Sequence, residues 1–264
     1  MQPITDKIIA DKDGAIGRLA FNNPERRNAI SFEMWQAIPI VLDDFAGDDA
    51  IRVVVVSGAG GKAFSAGADV SQFESKRSTK DATAEYNAAI LEASDRLKAF
   101  DKPTLAQIEG YCLGGGLGVA LCCDLRIASD DSRFAIPAAK LGLGYRYPSI
   151  RTLMDLVGPA FAKEILFTAR QFDATEAYCM GLINRVLPGE ELTDYVQVYA
   201  ERIGANAPLT LHAVKAIVRE AVKDADARDL KLCDELVDRC FSSEDYAEGR
   251  RAFMEKRKPH FAGR

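Results

Sequence analysis

The sequence predicts an α/β fold with a helical C-terminal section, and three features predict it. Residues 51–56 (IRVVVV) form a run of strand length whose four valines do not alternate with polar residues, too uniform for a strand with one wet face. A second short apolar run, residues 104–109, enters a glycine-rich turn and leaves it as the apolar stretch VALCC, residues 119–123. From about residue 190 onward only helical periodicity is found. Strands mixed with helices, followed by helices alone, is an α/β layout with a helical appendage. With 264 residues, 48% of them hydrophobic, the chain can bury a large core.

The elements follow in order. Residues 7–10 and 15–21 read as a hairpin around a turn at residues 11–14, Asp-Lys-Asp-Gly. Residues 22–29, with Pro24, break the strand. Ser31 is a good N-cap for a helix to about residue 45, with Phe32, Trp35, Ile38, Leu42 and Phe45 on one stripe. After the 51–56 strand, residues 74–84 are polar and loop-like, and residues 85–100 read as a helix. Residues 124–128 read as a strand and 132–153 as irregular. Helices are expected over 149–157, 159–168 and 174–180, with a short strand or turn at 184–188. No linker interrupts this order.

The turn at residues 110–118, GYCLGGGLG, is where the chemistry concentrates. It predicts a strand, a tight glycine turn and the N-terminus of a buried helix. Successive glycines let a backbone approach closely. The first N–H groups of a helix lack intrahelical partners and favour negative charge. Two readings stay open from these residues: an anion-stabilising site, or a crossing where two backbones pack tightly.

Composition removes other classes. The net charge of −5, from 34 basic and 39 acidic residues, gives no nucleic-acid footprint. No run is long and apolar enough to span a membrane, and residues 1–7 lack the order of a signal peptide. Cys112, Cys122, Cys123, Cys179, Cys233 and Cys240 form no spaced framework and read as reduced cytosolic thiols. Cys112 lies beside the turn, but no base accompanies it. With only His212 and His260, a histidine metal site or a Ser-His-Asp triad is not expected. Residues 58–63, Gly-Ala-Gly-Gly-Lys-Ala, fit a dinucleotide fingerprint after a strand. However, residues 64–68 open no amphipathic helix, and no acidic residue ends a second strand some 20 residues on.

In this order and spacing, four segments give the chain a resemblance to the enoyl-CoA hydratase/isomerase (crotonase) family along almost its whole length. They are residues 22–30 (NNPERRNAI), 63–69 (AFSAGAD), 110–124 and 181–186 (GLINRV). The resemblance implies a spiral of β-β-α units over residues 1–195 and a helical oligomerisation section over 196–264. It also implies a homotrimer or dimer of trimers in the cytoplasm. The ligand it implies is an acyl-CoA thioester, with coenzyme A entering as part of the substrate and no separate cofactor or metal. By position, the N–H groups of Ala68 and Gly115 correspond to the family's oxyanion hole, where losing one donor costs about 3 kcal/mol of the barrier. Arg26, Arg27, Ala66, Ala68, Asp69, Val70 and Gly115 fall on the family's CoA-thioester contacts. Phe253 and Lys256 fall on a C-terminal feature that reaches CoA in a neighbouring subunit. For Arg26, Arg27 and Lys256 the alternative is an ordinary solvated charge.

The pattern breaks at the acid and base. Hydratases of the family use two glutamates, and the matching positions here are Gly118 and Ala138. Neither can position water or deliver a proton. Tyr145 lies in the loop that continues across the active site, in a stretch similar to methylmalonyl-CoA decarboxylase. Tyr145 is therefore the candidate catalytic side chain, its alternative being an aromatic packed on the next helix. Enolate stabilisation on an acyl-CoA is the expected function, nominally as hydratase or isomerase. The alternatives are decarboxylation and acyl-CoA binding with little catalysis.

Overall fold

A computed structural model describes residues 5–72 and 78–264 of the chain. It opens with β1 (Ile8–Asp13) and β2 (Ile16–Phe21), paired antiparallel with Asp13 opposite Ile16. Gly14 takes the positive φ (+57°), so the turn is tighter than the four residues expected. α1 (Phe32–Ala46) follows, with the Ser31 hydroxyl accepting from Met34 N at 3.4 Å. Three similar units come next. The first is β3 (Val53–Gly58), β4 (Ala63–Ser65) and α2 (Lys80–Ala99). The second is β5 (Thr104–Ile108), β6 (Tyr111–Leu113) and α3 (Gly115–Cys122). The third is β7 (Leu125–Ser129), β8 (Arg133–Ala135), a 3-10 turn over Pro137–Leu141 and α4 (Tyr147–Thr168). Then come β9 (Phe172–Asp173), α5 (Ala174–Cys179) and β10 (Arg185–Leu187). The helical section is α6 (Gly189–Gly204), α7 (Pro208–Ala221), α8 (Leu230–Phe241) and α9 (Glu244–Glu255).

Each unit places its first strand in one sheet and its second in another, which is the spiral expected. The larger sheet has the order β1-β2-β3-β5-β7-β10, and the smaller β4-β6-β8-β9. β3 explains its own composition. Val54 and Val56 face α1, in a core with Leu19, Phe21, Trp35, Ile38, Leu42 and Phe45. Val53 and Val55 face the other way, in a core with Leu192, Val196 and Ala200 of α6. Side chains alternate across a strand, so a sheet covered on both faces needs apolar residues at every position.

The structure departs from the expected elements in several places. α2 begins at Lys80, capped by the Thr79 hydroxyl on Ala82 N (3.1 Å), so the second half of the polar 74–84 segment is helix. Residues 74–77 of that segment lie outside the described residues. A charged helical face reads as loop because its apolar stripe is carried mostly by alanines. The glycine turn contains β6, a strand too short to show a period, and β8 stands in the stretch expected to be irregular. The pair of helices expected at 149–157 and 159–168 is present, the two parts of α4 meeting at a kink where Gly158 (φ 74°, ψ 168°) leaves the helical conformation before Pro159. The division expected at residue 195 falls inside α6.

α3 is almost wholly buried, so its ends need partners from the protein itself. At the C-terminal end, buried Arg126 supplies them. Its guanidinium donates to Cys123 O (2.6 Å) and Ala120 O (3.4 Å), and its Nε to Leu182 O (2.8 Å). Burial lowers the Arg126 pKa from its ordinary value, and a cation at a helix C-terminus is favoured by the helix dipole. Arg126→Met should therefore strand buried carbonyls and cost at least about 2 kcal/mol in urea unfolding.

Candidate active site

β4 ends at Ser65, and the next four residues are held by the segment that precedes α1. Ala66 N donates to Arg27 O (2.8 Å), Ile30 N to Gly67 O (2.7 Å), and Asp69 N to Ile30 O (2.9 Å). The last two bonds form a parallel bridge between Ile30 and Ala68. N–H groups of successive extended residues point to opposite sides. With Gly67 O and Asp69 N both committed to Ile30, the Ala68 N–H must face away from it. Gly67 makes the bend possible at φ +103°, with its own N–H donating to Ser65 Oγ (3.1 Å).

On the opposite side lies the start of α3. Gly114, at φ 51° and ψ −117°, is the N-cap and donates to Ala135 O (2.8 Å). Gly115 is the first helical residue, so its N–H has no intrahelical acceptor. A Cβ built on Gly115 would lie 3.4 Å from Ala68 N and 3.3 Å from the Trp35 ring. One built on Gly67 would lie 3.4 Å from Gly115 N. The Ala68 and Gly115 N–H groups thus border one small gap that two glycines keep clear. Among the described residues, neither N–H donates a hydrogen bond. Gly116 serves the other reading of the turn. Its Cβ would meet Ser65 Cβ at 2.6 Å and Ser65 O at 2.7 Å, so α3 packs directly on the end of β4.

Two side chains support this arrangement in roles that the sequence did not announce. Asn28 is fully buried at a positive φ (55°) and bonds three ways. Its Oδ1 accepts from Asn23 N (2.9 Å), and its Nδ2 donates to Ala59 O (2.9 Å) and Ala63 O (2.7 Å). It locks the segment before α1 to the entry of β4. The second support is Asp69, only 5% exposed. Its carboxylate accepts from Arg26 Nη1 (3.2 Å), Ser71 N (3.1 Å) and Ser71 Oγ (2.7 Å). Burial pushes the Asp69 pKa up. The Ser71 hydroxyl and amide and the Arg26 guanidinium more than offset this, holding it below the usual carboxylate value.

The other predicted residues fall as follows. Arg26 is paired with Asp69 and Ser71 rather than solvated alone, and Asp69 is occupied by protein donors rather than open to a ligand. Arg27 lies over the Tyr111 ring at 4.7 Å. Ala66 is half-buried and Val70 is 65% exposed. Phe253 is 82% exposed on α9, and Lys256 is its left-handed C-cap (φ 52°). No hydrogen bond or ion pair among the described residues joins α9 to the glycine turn. A Cβ on Gly118 would meet nothing within 4 Å, while Ala138 is buried. Tyr145 is half-buried against the main core. Burial, with Cys122 beside it, pushes its phenol up to about 12. The Cys112 thiol is fully buried and pushed well up, which removes it as a nucleophile. No helix among the described residues is long and apolar enough to cross a membrane.

Comparison with known proteins adds to this geometry. Residues 11–264 match the sequence profile described as enoyl-CoA hydratase/isomerase. A crotonyl-CoA hydratase from Syntrophomonas wolfei is 33% identical over 97% of this chain and 98% of its own length. A 2,3-dehydroadipyl-CoA hydratase from Escherichia coli is 30% identical over 98% and 99%, respectively. The crystal structure of an enoyl-CoA hydratase/carnithine racemase from Magnetospirillum magneticum superposes with a TM-score of 0.94. It is 35% identical and covers 98% of this chain and 97% of that one.

Two glycines of α3 should respond in opposite ways to alanine. Gly116→Ala drives a methyl into Ser65 and should cost about 1–3 kcal/mol. Gly118→Ala meets open space and should gain about 0.5–1 kcal/mol of helix stability. Urea unfolding of the two variants checks both signs.

Proposed function

The chain belongs to the enoyl-CoA hydratase/isomerase family, and on that premise we propose that it stabilises the enolate of an acyl-CoA thioester between the N–H groups of Ala68 and Gly115. The observation that carries this reading is the cleared gap between two unpaired backbone donors at a helix N-terminus. As an enolate forms, negative charge gathers on the thioester oxygen. Fixed donors that need no reorganisation lower the barrier for that step. The CoA thioesters in the names of the hydratase relatives support the substrate class. Coenzyme A enters as part of the substrate under this proposal, with Arg27, Ala66 and Val70 along its path and Arg26 at its edge. Phe253 and Lys256 reach it across a subunit boundary in a trimer or a pair of trimers.

The reaction is one that manages without a carboxylate acid–base pair. Hydration requires a group to position water and another to deliver a proton. Gly118 offers open space where the first glutamate would stand, and Ala138 offers a methyl for the second. Decarboxylation fits this vacancy better than hydration. The bond between the α-carbon and the carboxylate breaks, its electron pair becomes the enolate and CO₂ leaves, so no base is needed. The α-carbon then takes a proton. Tyr145 suits that last step, because a phenol pushed up to about 12 stays protonated at neutral pH. It is a donor across the physiological range and becomes a base only above its raised pKa.

Turnover of crotonyl-CoA, a 3-enoyl-CoA and methylmalonyl-CoA separates these reactions. The expected outcome is propionyl-CoA and CO₂ from methylmalonyl-CoA, with little hydration of crotonyl-CoA. Hydration of crotonyl-CoA at a rate typical of enzymes would remove the decarboxylase reading. Binding of all three without turnover would favour an acyl-CoA-binding protein. On the productive substrate, Gly115→Ala should lower kcat by about 10²-fold or more, because its methyl enters the gap. Tyr145→Phe should lower it by about 10²-fold while binding is kept.

A further inference from the structure

We infer that Asp69 is a positioning residue that aims the Ala68 N–H, acting through the backbone and not by contact with the substrate. This rests on the proposed enolate function and adds the device that holds one of its two donors.

Ala68 has no polar side chain, and among the described residues its own N–H makes no bond, so its neighbours fix its direction. On one side, Ser65 Oγ holds Gly67 N at 3.1 Å. On the other side stands Asp69, with its N–H on Ile30 O at 2.9 Å. The Asp69 carboxylate is tied three ways. Arg26 Nη1 lies 3.2 Å from Oδ1 and 3.3 Å from Oδ2, and Ser71 donates to Oδ1 through both N and Oγ. Arg26 also bonds Ser71 Oγ, which closes the cluster on itself. The clamp continues outward. Gln72 N donates to Asp69 O at 3.1 Å, and Gln72 Oε1 accepts from Phe32 N at 2.8 Å, at the start of α1.

A buried carboxylate must keep its donors, because an unpaired buried charge is far costlier than a paired one. The Asp69 backbone is therefore pinned by its own side chain. The Ala68 N–H lies in one peptide plane with Gly67 O, which Ile30 N holds at 2.7 Å, so turning it off the gap would strain the Ile30–Ala68 bridge whose other bond, Asp69 N to Ile30 O, the Asp69 cluster anchors. An oxyanion donor works only within hydrogen-bond distance and direction, so a small rotation is enough to lose it. Arg26 lies 43 residues from Asp69 in the chain and brings the segment before α1 into the same clamp.

Two readouts test this with the intact protein. The probe is butyryl-CoA labelled with ¹³C at the thioester carbonyl, which has no double bond to hydrate and no carboxylate to lose. Bound to the wild-type chain, its carbonyl band should move to lower wavenumber as the two N–H groups polarise it. In Asp69→Asn the band should move back toward the free-ligand position with butyryl-CoA still bound. On the productive substrate, kcat should fall on the order of tenfold to a hundredfold with KM little changed. Ser71→Ala, which keeps the charge pair, should shift both readouts in the same direction by less. If Asp69→Asn fails to fold, Ser71→Ala decides the question. A wild-type-sized band shift and kcat in the folded variants overturn the positioning role and leave the enolate reading standing. No band shift, or no binding, in the wild-type chain overturns the enolate reading and this inference with it.

Discussion

The bridge between Ile30 and Ala68 is the constraint on which the site depends. Two backbone hydrogen bonds, Ile30 N to Gly67 O and Asp69 N to Ile30 O, use every group on one side of the 67–69 segment. The N–H left over is the one that faces α3. Residue 68 adds no side chain of its own to present it, which is why alanine suffices at position 68. Other contacts of this region keep that bridge in place. Asn28 joins the segment before α1 to Ala59 and Ala63, and the Asp69 cluster closes the far end.

The second donor depends on how closely α3 comes to β4. Gly116 has no side chain because the Ser65 backbone occupies the space, and Gly115 has none because Trp35 and the Ala68 amide lie within contact. An apolar helix buried this way cannot lean on water at either end. Arg126 closes the C-terminal end, and Asp124 anchors the residues just after it. The Asp124 carboxylate accepts from Thr104 N (2.7 Å) and from Lys215 Nζ of α7 (2.7 Å). The N-terminal end keeps its first donor free. A helix whose one end is saturated and whose other end is left open is a fixed dipole aimed at the gap.

Much of this was legible in the sequence where a residue type has one physical use. A run of valines at 53–56 requires two covered faces, Ser31 before an apolar stripe is a cap, and three glycines in succession mark a close approach. At the glycine turn the packing reading and the space an anion site would need fall on different glycines. Gly116 does the packing, and Gly115 keeps the gap clear. What was not legible depends on partners distant in the chain. Nothing near Asp69 announces Arg26, and nothing near Arg126 announces that it caps the helix before it. Strands of three residues, such as β6 and β8, are too short for periodicity to register. α2 was read as starting late because alanines and charges dominate its first turns. Among the described residues, no hydrogen bond or ion pair joins Phe253 or Lys256 to the turn, and only the resemblance links them to the site.

The positions that the resemblance gives to the family's two glutamates hold no carboxylate here, being Gly118 and Ala138. Gly118 sits one helical turn beyond Gly114 with open space before it, and burial, with Cys122 at the end of the same helix beside it, raises the Tyr145 phenol. Under the proposed function, charge stabilisation is the work of the backbone and proton delivery that of a side chain from another segment. A crystal structure with butyryl-CoA bound tests the central claim most directly. The account predicts the thioester oxygen about 2.7–3.1 Å from both Ala68 N and Gly115 N. An oxygen bonded to neither, with the gap between them empty, would contradict it.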